Sequence, residues 1–264
     1  VMKSSNINSL DIFIEGETID LCVPSCDEHV LDQWYRWFNK SEVTKYLSQG
    51  SYPNTVSLQR EYCNSIVLDE TRVVTLIKPK NQEKIIGVAS LSSISYTQNQ
   101  CDFAMVIGDR TGGKGSLFYG MEAKARLTQH AFDTLGVKRI NSSQVDKLGK
   151  WQKWQILFGY QIEGVLRNKF VKGCLSHDVY MSSCIVEDYI DILNKRNGVL
   201  WPGKSNLLDM MRGIPPETLI DELAEWLNEW ADDTSGDAPS FVGTGLASTA
   251  DIDGEPMGRP DPAS

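Results

Sequence analysis

The chain has 264 residues, which is enough for one sizeable domain with an extension or for two small domains. Hydrophobic residues make up 41% of it and aromatic residues 9%, values that are typical of a globular protein and exclude a wholly disordered one. No apolar run approaches the roughly 18 to 20 residues of a membrane helix, and residues 1–8 lack the pattern of a secretion signal. We therefore expect a soluble, cytoplasmic protein with no membrane role.

The net charge of −9 is unevenly distributed along the chain. Residues 1–183 carry 21 Lys and Arg against 19 Asp and Glu, whereas residues 184–264 carry 5 against 16. An acidic C-terminal third disfavours nucleic acid as a partner, because phosphate contacts need Lys and Arg. We expect a solvated acidic extension there.

The six cysteines are scattered along the chain, and none of them forms a CxxC pair. The three histidines, His29, His130 and His177, are far apart in sequence. This pattern disfavours a zinc site and predicts no bound metal. It favours buried free thiols in a reducing compartment.

The apolar periodicity predicts an α+β domain with one mixed sheet and helices on both faces. Apolar residues at helical spacing in 27–39 predict an amphipathic helix, with Asp27 as a candidate N-cap. The predicted strands are 18–23, 72–77, 84–94, 101–107, 139–145, 160–170 and 175–183, and the predicted helices of this domain are 27–39, 41–47, 54–68, 116–135 and 150–158.

The character of the chain changes after residue 183. Residues 186–195 and 216–230 have helical periodicity, and Trp226 and Trp230 are expected to pack on the core domain or on a partner. From residue 232 onward Gly, Pro, Ser, Asp and Ala dominate, which is typical of an extended, flexible tail. We therefore divide the chain into a domain at 1–183, a helical extension at 184–231 and a tail at 232–264.

The segment VIGDRTGGKG at 106–115 joins a predicted strand to the longest predicted helix. Its glycines let the backbone approach a ligand, and a helix N-terminus adds partial positive charge, so the segment suits a phosphate group. It is neither a Walker loop nor GxGxxG, but it fits R-x-x-G-x-G with Arg110, Gly113 and Gly115. An ordinary strand-to-helix turn is the alternative interpretation.

Five stretches in sequence order resemble the GCN5-related N-acetyltransferase (GNAT) superfamily, in particular its ribosomal-protein N-terminal and amino-sugar acetyltransferase branch. They are EVTKYL at 42–47, IGVASL at 86–91, DFAMVIG at 102–108 with GKG at 113–115, FGYQIEGVLR at 158–167 and HDVYM at 177–181. The resemblance covers roughly residues 12–183. It implies the GNAT fold and an acyltransferase that moves an acetyl group from acetyl-CoA to a primary amine.

The resemblance also implies the roles of individual residues. The strand at 101–107 would splay from the next one, the pantetheine arm of coenzyme A would lie in the gap, and the glycine-rich loop would hold the pyrophosphate. Asp102 matches the glutamate of the family segment E-I-G-Y-W-I-G and is the candidate general base, with an ordinary polar strand residue as the alternative. Glu163 belongs to the E-G element of the fourth stretch, where a structural role is at least as plausible as a role as the base. The expected cofactor-binding residues are Ile107, Arg110, Gly112, Gly113, Lys114, Gly115 and Ser116.

The chain departs from the family pattern at 146–157. The family's tyrosine that protonates the leaving thiolate and its asparagine would fall at Ile156 and Leu148, which cannot replace them. Trp151 and Trp154 are expected to pack in the core or on the cofactor.

Two functions therefore stay open. One is an active N-acetyltransferase acting on a protein N-terminus, an amino sugar or a small amine, with the acceptor near residues 34–52. The other is a GNAT-fold protein with little turnover, which joins a larger assembly by docking its C-terminal extension on a protein partner.

Overall fold

The computed structural model describes residues 10–109 and 115–214. Its eight-stranded sheet has the order β1-β2-β3-β4-β5-β6-β8-β7. The strands are β1 Ile12–Glu15, β2 Ile19–Cys22, β3 Val73–Pro79, β4 Gly87–Ser95, β5 Gln100–Ile107, β6 Arg139–Val145, β7 Gln161–Lys172 and β8 Leu175–Ile185. The helices are α1 Glu28–Trp37, α2 Ser41–Thr44, α3 Val56–Val67, α4 Gly115–Asp133, α5 Gly149–Gln155, α6 Val186–Lys195 and α7 Lys204–Arg212.

The predicted mixed sheet is confirmed, and its one parallel pair is the feature that positions the site. All neighbouring strands are antiparallel except β5 and β6. These two pair only through Gln100–Arg139, Cys101–Ile140 and Asp102–Asn141. Beyond those pairs β5 continues to Ile107 beside β4, and β6 continues to Val145 beside β8. The sheet therefore opens into a gap between β5 and β6, which we call the wedge.

Helices cover both faces of the sheet, as predicted. On one face, α4 and the segments after it form the larger part of the core. The long helix α4 packs on β2, β3, β4 and β5. On the other face α1 and α3 bury the smaller cluster. Side chains of that cluster include Val30, Leu31, Trp34, Trp37, Cys63 and Ile66.

Residues 186–212 add two helices, and some apolar side chains of this segment are buried in the larger core. The Tyr189 hydroxyl donates to Asp133 on α4 at 2.9 Å, and Trp201 donates through Nε1 to Glu17 at 2.6 Å. Leu200 and Leu207 are fully buried. The helix predicted at 186–195 is confirmed, α7 was not predicted, and the helix predicted at 216–230 lies outside the described residues. The division of the chain into domains stays a prediction.

Other differences from the predicted elements have local causes. The sequence pattern missed β1, a four-residue edge strand that is mostly exposed and so lacks alternating burial. The helix predicted at 150–158 is interrupted: 3₁₀ turns at 146–148 and 156–158 flank the short α5. Gly159 closes this segment in the left-handed conformation at φ 87°, as its position predicted. Asp27 is the N-cap residue of α1, but its side chain makes no capping hydrogen bond.

A lysine lies inside the larger core. Lys124 on α4 is fully buried, and its Nζ lies 3.6 Å from the ring centroid of Tyr160, 4.2 Å from that of Phe103 and 3.2 Å from Oγ of Ser142. Burial lowers the pKa of the Lys124 amine well below its ordinary value. The two aromatic faces favour the charged amine, but no carboxylate in the described part of the chain pairs with Lys124. Desolvation is therefore the larger influence on its pKa.

A close approach of backbone and ring fixes the end of β5. The amide of Gly108 donates to the carbonyl of Ile86 at 2.9 Å. A Cβ at Gly108 would lie 2.0 Å from Cδ2 of Trp37, a ring that is 3% exposed. Glycine is therefore required where the strand passes α1 and enters the 108–114 segment.

We expect Lys124→Met to change how stability depends on pH. Because the folded-state pKa is lowered, the unfolded chain binds the proton more strongly, and wild-type stability rises with pH between the folded-state pKa and the ordinary value of 10.5. Urea unfolding should show this rise, up to about 1.4 kcal/mol per pH unit, lost in the variant. The control is Lys84→Met, which changes an exposed lysine. If the free energy of unfolding depends on pH in the same way for the wild type and for Lys124→Met, the expectation is wrong.

We expect Gly108→Ala to lower the free energy of unfolding by about 1–3 kcal/mol, because the buried ring of Trp37 must shift. The matched control is Gly149→Ala. A Cβ at Gly149 meets nothing within 4 Å and its φ is −52°, so this change should be neutral or stabilise by up to about 1 kcal/mol. Equal unfolding midpoints for the two variants in urea would show that Trp37 does not constrain this position.

Candidate active site

The floor of the wedge is built by α4 and α5. Gly120, near the start of α4, packs against Met105 on β5, where an added Cβ would come 3.0 Å from the methionine methyl group. The Trp151 ring lies 3.7 Å from the same point. Trp151 and Trp154 are partly buried against the core, in line with the packing role predicted for them. A polar chain could thus enter between the strands with apolar side chains behind it.

The structure places only part of the predicted cofactor loop. Ile107 ends β5, and Gly115 is the first residue of the 19-residue helix α4. The strand, connecting segment and helix therefore follow in the predicted order, with the helix N-terminus available to an anion. Arg110, Gly112, Gly113 and Lys114 lie outside the described residues, as do the side chains of Gly115 and Ser116, so their cofactor contacts stay predictions.

Asp102 stands where the wedge begins, in the last β5–β6 pair. Its Oδ1 accepts a hydrogen bond from Nδ2 of Asn141 at 3.0 Å, and Oδ1 of Asn141 accepts from Nε of Arg139 at 2.7 Å. Arg139 also forms a two-pronged ion pair with Glu163, which accepts from the Ser183 hydroxyl at 2.6 Å. The Asp102 carboxylate is thus the end of a polar network that crosses four strands.

Glu163 is the structural centre of that network. The Arg139 guanidinium beside it lowers the pKa of the Glu163 carboxyl. A carboxylate held ionised by an arginine is a weak proton acceptor, so the geometry supports the structural role considered for Glu163 over a catalytic one.

A surface cleft of about 310 Å³ lies on the face of the sheet opposite α4. It separates residues 38–50, at the end of α1 and around α2, from the hairpin of β7 and β8. Nζ of Lys172 spans it at one end by donating to the carbonyls of Thr44, Leu47 and Gln49 at 2.7, 3.0 and 2.6 Å. Phe38, Tyr46 and Phe170 give the cleft an aromatic lining. Part of the segment expected to bind the acceptor, residues 34–52, thus forms one wall.

A histidine that lines this cleft lies next to a carboxylate that does not, and the sequence patterns did not bring the two together. Nδ1 of His177 lies 3.3 Å from Oδ1 of Asp146, while Oδ2 of Asp146 lies 3.0 Å from Nζ of Lys147. His177 lines the cleft, and Asp146 directly follows the last residue of β6. Only the pairing of β6 with β8 shows their proximity, because 31 positions separate them in sequence.

The two positions where the family has a tyrosine, as the thiolate acid, and an asparagine are occupied by apolar side chains here. Ile156 and Leu148 are 39% and 37% exposed apolar side chains. Tyr160, a neighbouring tyrosine, is buried in the core and shares a hydrogen bond of 2.8 Å with Oγ1 of Thr128. Burial raises the pKa of the Tyr160 hydroxyl well above its ordinary value. Tyr160 is therefore a core residue and has no access to a thiolate in the wedge.

Within 10–109 and 115–214 no three His, Cys, Asp or Glu side chains are grouped so that they could hold a metal ion. The helices of the same ranges include none with the length and apolar character that crossing a membrane requires.

Residues 23–146 match the model of the acetyltransferase (GNAT) domain family. The uncharacterized N-acetyltransferase p20 of Bacillus licheniformis is 27% identical over 167 residues, which are 62% of this chain and 89% of that protein. Both comparisons agree with the acyltransferase class expected from the sequence motifs.

Solved structures share the fold. Spermidine N-acetyltransferase from Vibrio cholerae, in complex with CoA and spermine, superposes with a TM-score of 0.59 at 18% identity over 66% of this chain and 99% of that one. The microcin C7 self-immunity acetyltransferase MccE, in complex with acetyl-CoA and AMP, gives 0.54 at 21% identity over 65% and 94%. The wedge, the α4 position and these comparisons converge: the chain has the GNAT fold, and its residues 23–146 match the acetyltransferase (GNAT) domain family.

Proposed function

We propose that this chain is an N-acetyltransferase that moves an acetyl group from acetyl-CoA to a primary amine. The observation that carries the proposal is the wedge. Two parallel strands stop pairing after three residues although both continue, so the facing backbone groups of β5 after Asp102 have no partner on β6 in the described residues. Unpaired strand edges bind extended chains that carry amides.

Coenzyme A fits this edge by its chemistry. Its pantetheine arm is an extended chain with two amide groups, which could pair with the free edge of β5. Its pyrophosphate would then reach the 108–114 segment and the N-terminus of α4, where backbone N–H groups and the helix dipole favour an anion. Arg110 and Lys114 would add positive charge, and Gly112, Gly113 and Gly115 would allow close approach.

The cleft beside the β7–β8 hairpin is the acceptor site that we propose. Its charged lining side chains are Lys45 and Lys172, and no carboxylate is among the described residues that line it. Nζ of Lys45 lies 5.1 Å from the ring centroid of Tyr46. A polycation would meet like charge here, so the acceptor that we propose is a primary amine on a neutral or aromatic body. V. cholerae spermidine N-acetyltransferase shares the fold at 18% identity, too distant to transfer its acceptor.

Four finer predictions belong to this proposal. The proton acceptor suggested by the family motif is Asp102, which borders the start of the wedge. The ribosomal-protein and amino-sugar branch would place the acceptor on a protein N-terminus or a sugar. A cytoplasmic location and a protein partner for the C-terminal extension also stay predictions.

Gly113→Glu should abolish binding of acetyl-CoA, because it places bulk and negative charge where the pyrophosphate is proposed to lie. Isothermal titration should give a micromolar dissociation constant for the wild-type chain and no measurable heat for the variant. Gly164→Glu makes the same change on β7, where an added Cβ meets nothing within 4 Å, and should bind as wild type does. No binding by the wild-type chain would refute the enzyme function, and unchanged binding by Gly113→Glu would refute the loop as the pyrophosphate site.

Acceptor choice should follow the charge of the cleft. The assay measures the release of free thiol from acetyl-CoA. We expect kcat/KM to be at least about 10-fold higher with tyramine than with spermidine, a ratio that corresponds to about 1.4 kcal/mol. Lys45→Glu should narrow that ratio by attracting the polyamine. Lys84→Glu, the same change at an exposed residue of the β3–β4 connection, should not alter it. Faster turnover of spermidine by the wild-type chain would contradict the proposed acceptor class.

A further inference from the structure

We propose that His177, positioned by Asp146, is the general base that removes a proton from the acceptor amine. The inference rests on the proposed function, since it assumes that the amine occupies the cleft. It assigns the proton transfer to a pair of residues that the family motifs do not include. Imidazole is the side chain best suited to accept and release protons near neutral pH.

The first observation is the way the ring is held. The Tyr46 ring meets the imidazole edge-on with centroids 5.6 Å apart, and the Phe170 ring stacks with it at 6.4 Å. His177 is only 14% exposed, yet it lines the cleft. Aromatic contacts on its faces and a carboxylate on Nδ1 leave Nε2 as the nitrogen that can meet a ligand. A ring fixed in this way is ready to take a proton without reorganisation.

The second observation concerns Asp146. Its Oδ1 is buried and makes no hydrogen bond within the described part of the chain, although Nδ1 of His177 lies 3.3 Å from it, within ion-pair distance. A buried carboxylate oxygen without a partner is costly, so its position opposite the imidazole needs an explanation. Stabilising the imidazolium that forms when Nε2 takes a proton supplies one, as in the Asp–His pairs of other enzymes.

Distance separates this pair from Asp102. Asp102 is opposite Asn141, which is opposite Ser183 on β8. His177 lies six residues before Ser183, or about 20 Å along the strand. Asp102 does not line the cleft, so an amine in the cleft cannot give its proton directly to that carboxylate. Asp146, by contrast, follows the last residue of β6, at the open end of the wedge.

Charged and titratable groups surround the His177 imidazole from three elements: the turn after β6, the segment after α2 and the β7–β8 hairpin. Asp146 and Lys147 belong to the turn after β6, and Lys45 and Tyr46 follow α2. On the hairpin, β7 contributes Lys172, and β8 contributes Asp178 and Tyr180 next to the histidine in sequence. Lys172 is occupied by three backbone carbonyls and Asp178 by the amide of Asn168, so Asp146 is the carboxylate directed at the ring.

The proposed step balances as follows. Nε2 of neutral His177 takes one proton from the R–NH₃⁺ acceptor, and the nitrogen lone pair attacks the thioester carbon of acetyl-CoA. The carbon–nitrogen bond forms as the carbonyl electron pair moves to oxygen, and collapse of this intermediate breaks the carbon–sulfur bond. The second proton lost by nitrogen passes to solvent, and the thiolate takes the proton of the His177 imidazolium through solvent to become CoA–SH. This transfer restores neutral His177, and one proton is released overall. The product is the N-acetylated amine.

The test compares kcat/KM across pH for three variants with tyramine as acceptor. His177→Asn keeps an amide donor toward Asp146 but removes the base, and it should lower kcat/KM about 10²–10⁴-fold and abolish the pH inflection of the wild-type profile. Asp146→Asn should lower kcat/KM about 10-fold or more, since the imidazolium loses its carboxylate. Asp102→Asn, the variant of the alternative base, should keep the pH inflection of the wild-type profile.

Matched controls separate chemistry from folding. His29→Asn changes an exposed histidine of α1, and Asp178→Asn changes the neighbouring carboxylate, so both should turn over as wild type does. Binding of acetyl-CoA should be unchanged in every variant. An arylamine, which is already unprotonated at neutral pH, should partly rescue His177→Asn.

Two results would overturn the assignment. The first is a normal pH profile in His177→Asn together with its loss in Asp102→Asn, which would return the base to Asp102 and leave the proposed function intact. The second is no turnover of any amine by a wild-type chain that binds acetyl-CoA, which would refute the transferase function and the role of His177 with it.

Discussion

Parallel strands normally pair along their whole length, because each unpaired amide and carbonyl that is removed from water costs free energy. In this chain β5 and β6 separate after Asp102 and Asn141, and each keeps its other neighbour. The opening is therefore supported from both sides rather than produced by disorder of one strand. The proposed cofactor site, the position of α4 and the start of the acceptor face all depend on this separation.

The two faces of the wedge have different chemistry. On the α4 side, apolar packing around Met105 and Gly120 backs the gap, and even Lys124 is held as a desolvated amine. On the opposite face, polar side chains such as Asn141 and Arg139 line the strands, and the cleft next to α2 opens to solvent. The thioester of bound acetyl-CoA would then be accessible from the polar, solvent-facing side of the sheet. The pantetheine chain that carries it would be enclosed on the α4 side.

The hairpin of β7 and β8 carries residues of the proposed acceptor site and the proposed general base. Lys172 ties its tip to the carbonyls after α2, so the two walls of the cleft are held at a set distance. His177 lies on the same hairpin and faces Asp146, which follows β6, the strand that pairs with β8. One element therefore carries both a wall of the proposed acceptor site and the imidazole proposed to deprotonate the amine. Fold likeness to a polyamine acetyltransferase says nothing about this wall, because the deciding charges are local.

The sequence by itself determined the α+β order, most strands and helices, the turn at Gly159 and the strand–loop–helix context of 106–115, because these follow from short-range periodicity and from glycine conformation. It did not predict α7, whose burial rests on contacts with distant segments, nor the 3₁₀ turns that interrupt the helix at 150–158. Only the tertiary structure brought Asp146 to His177 and showed the charge of the cleft. The reason is physical: local patterns report how a segment folds on itself, whereas a site is assembled by pairing strands that are far apart in the chain.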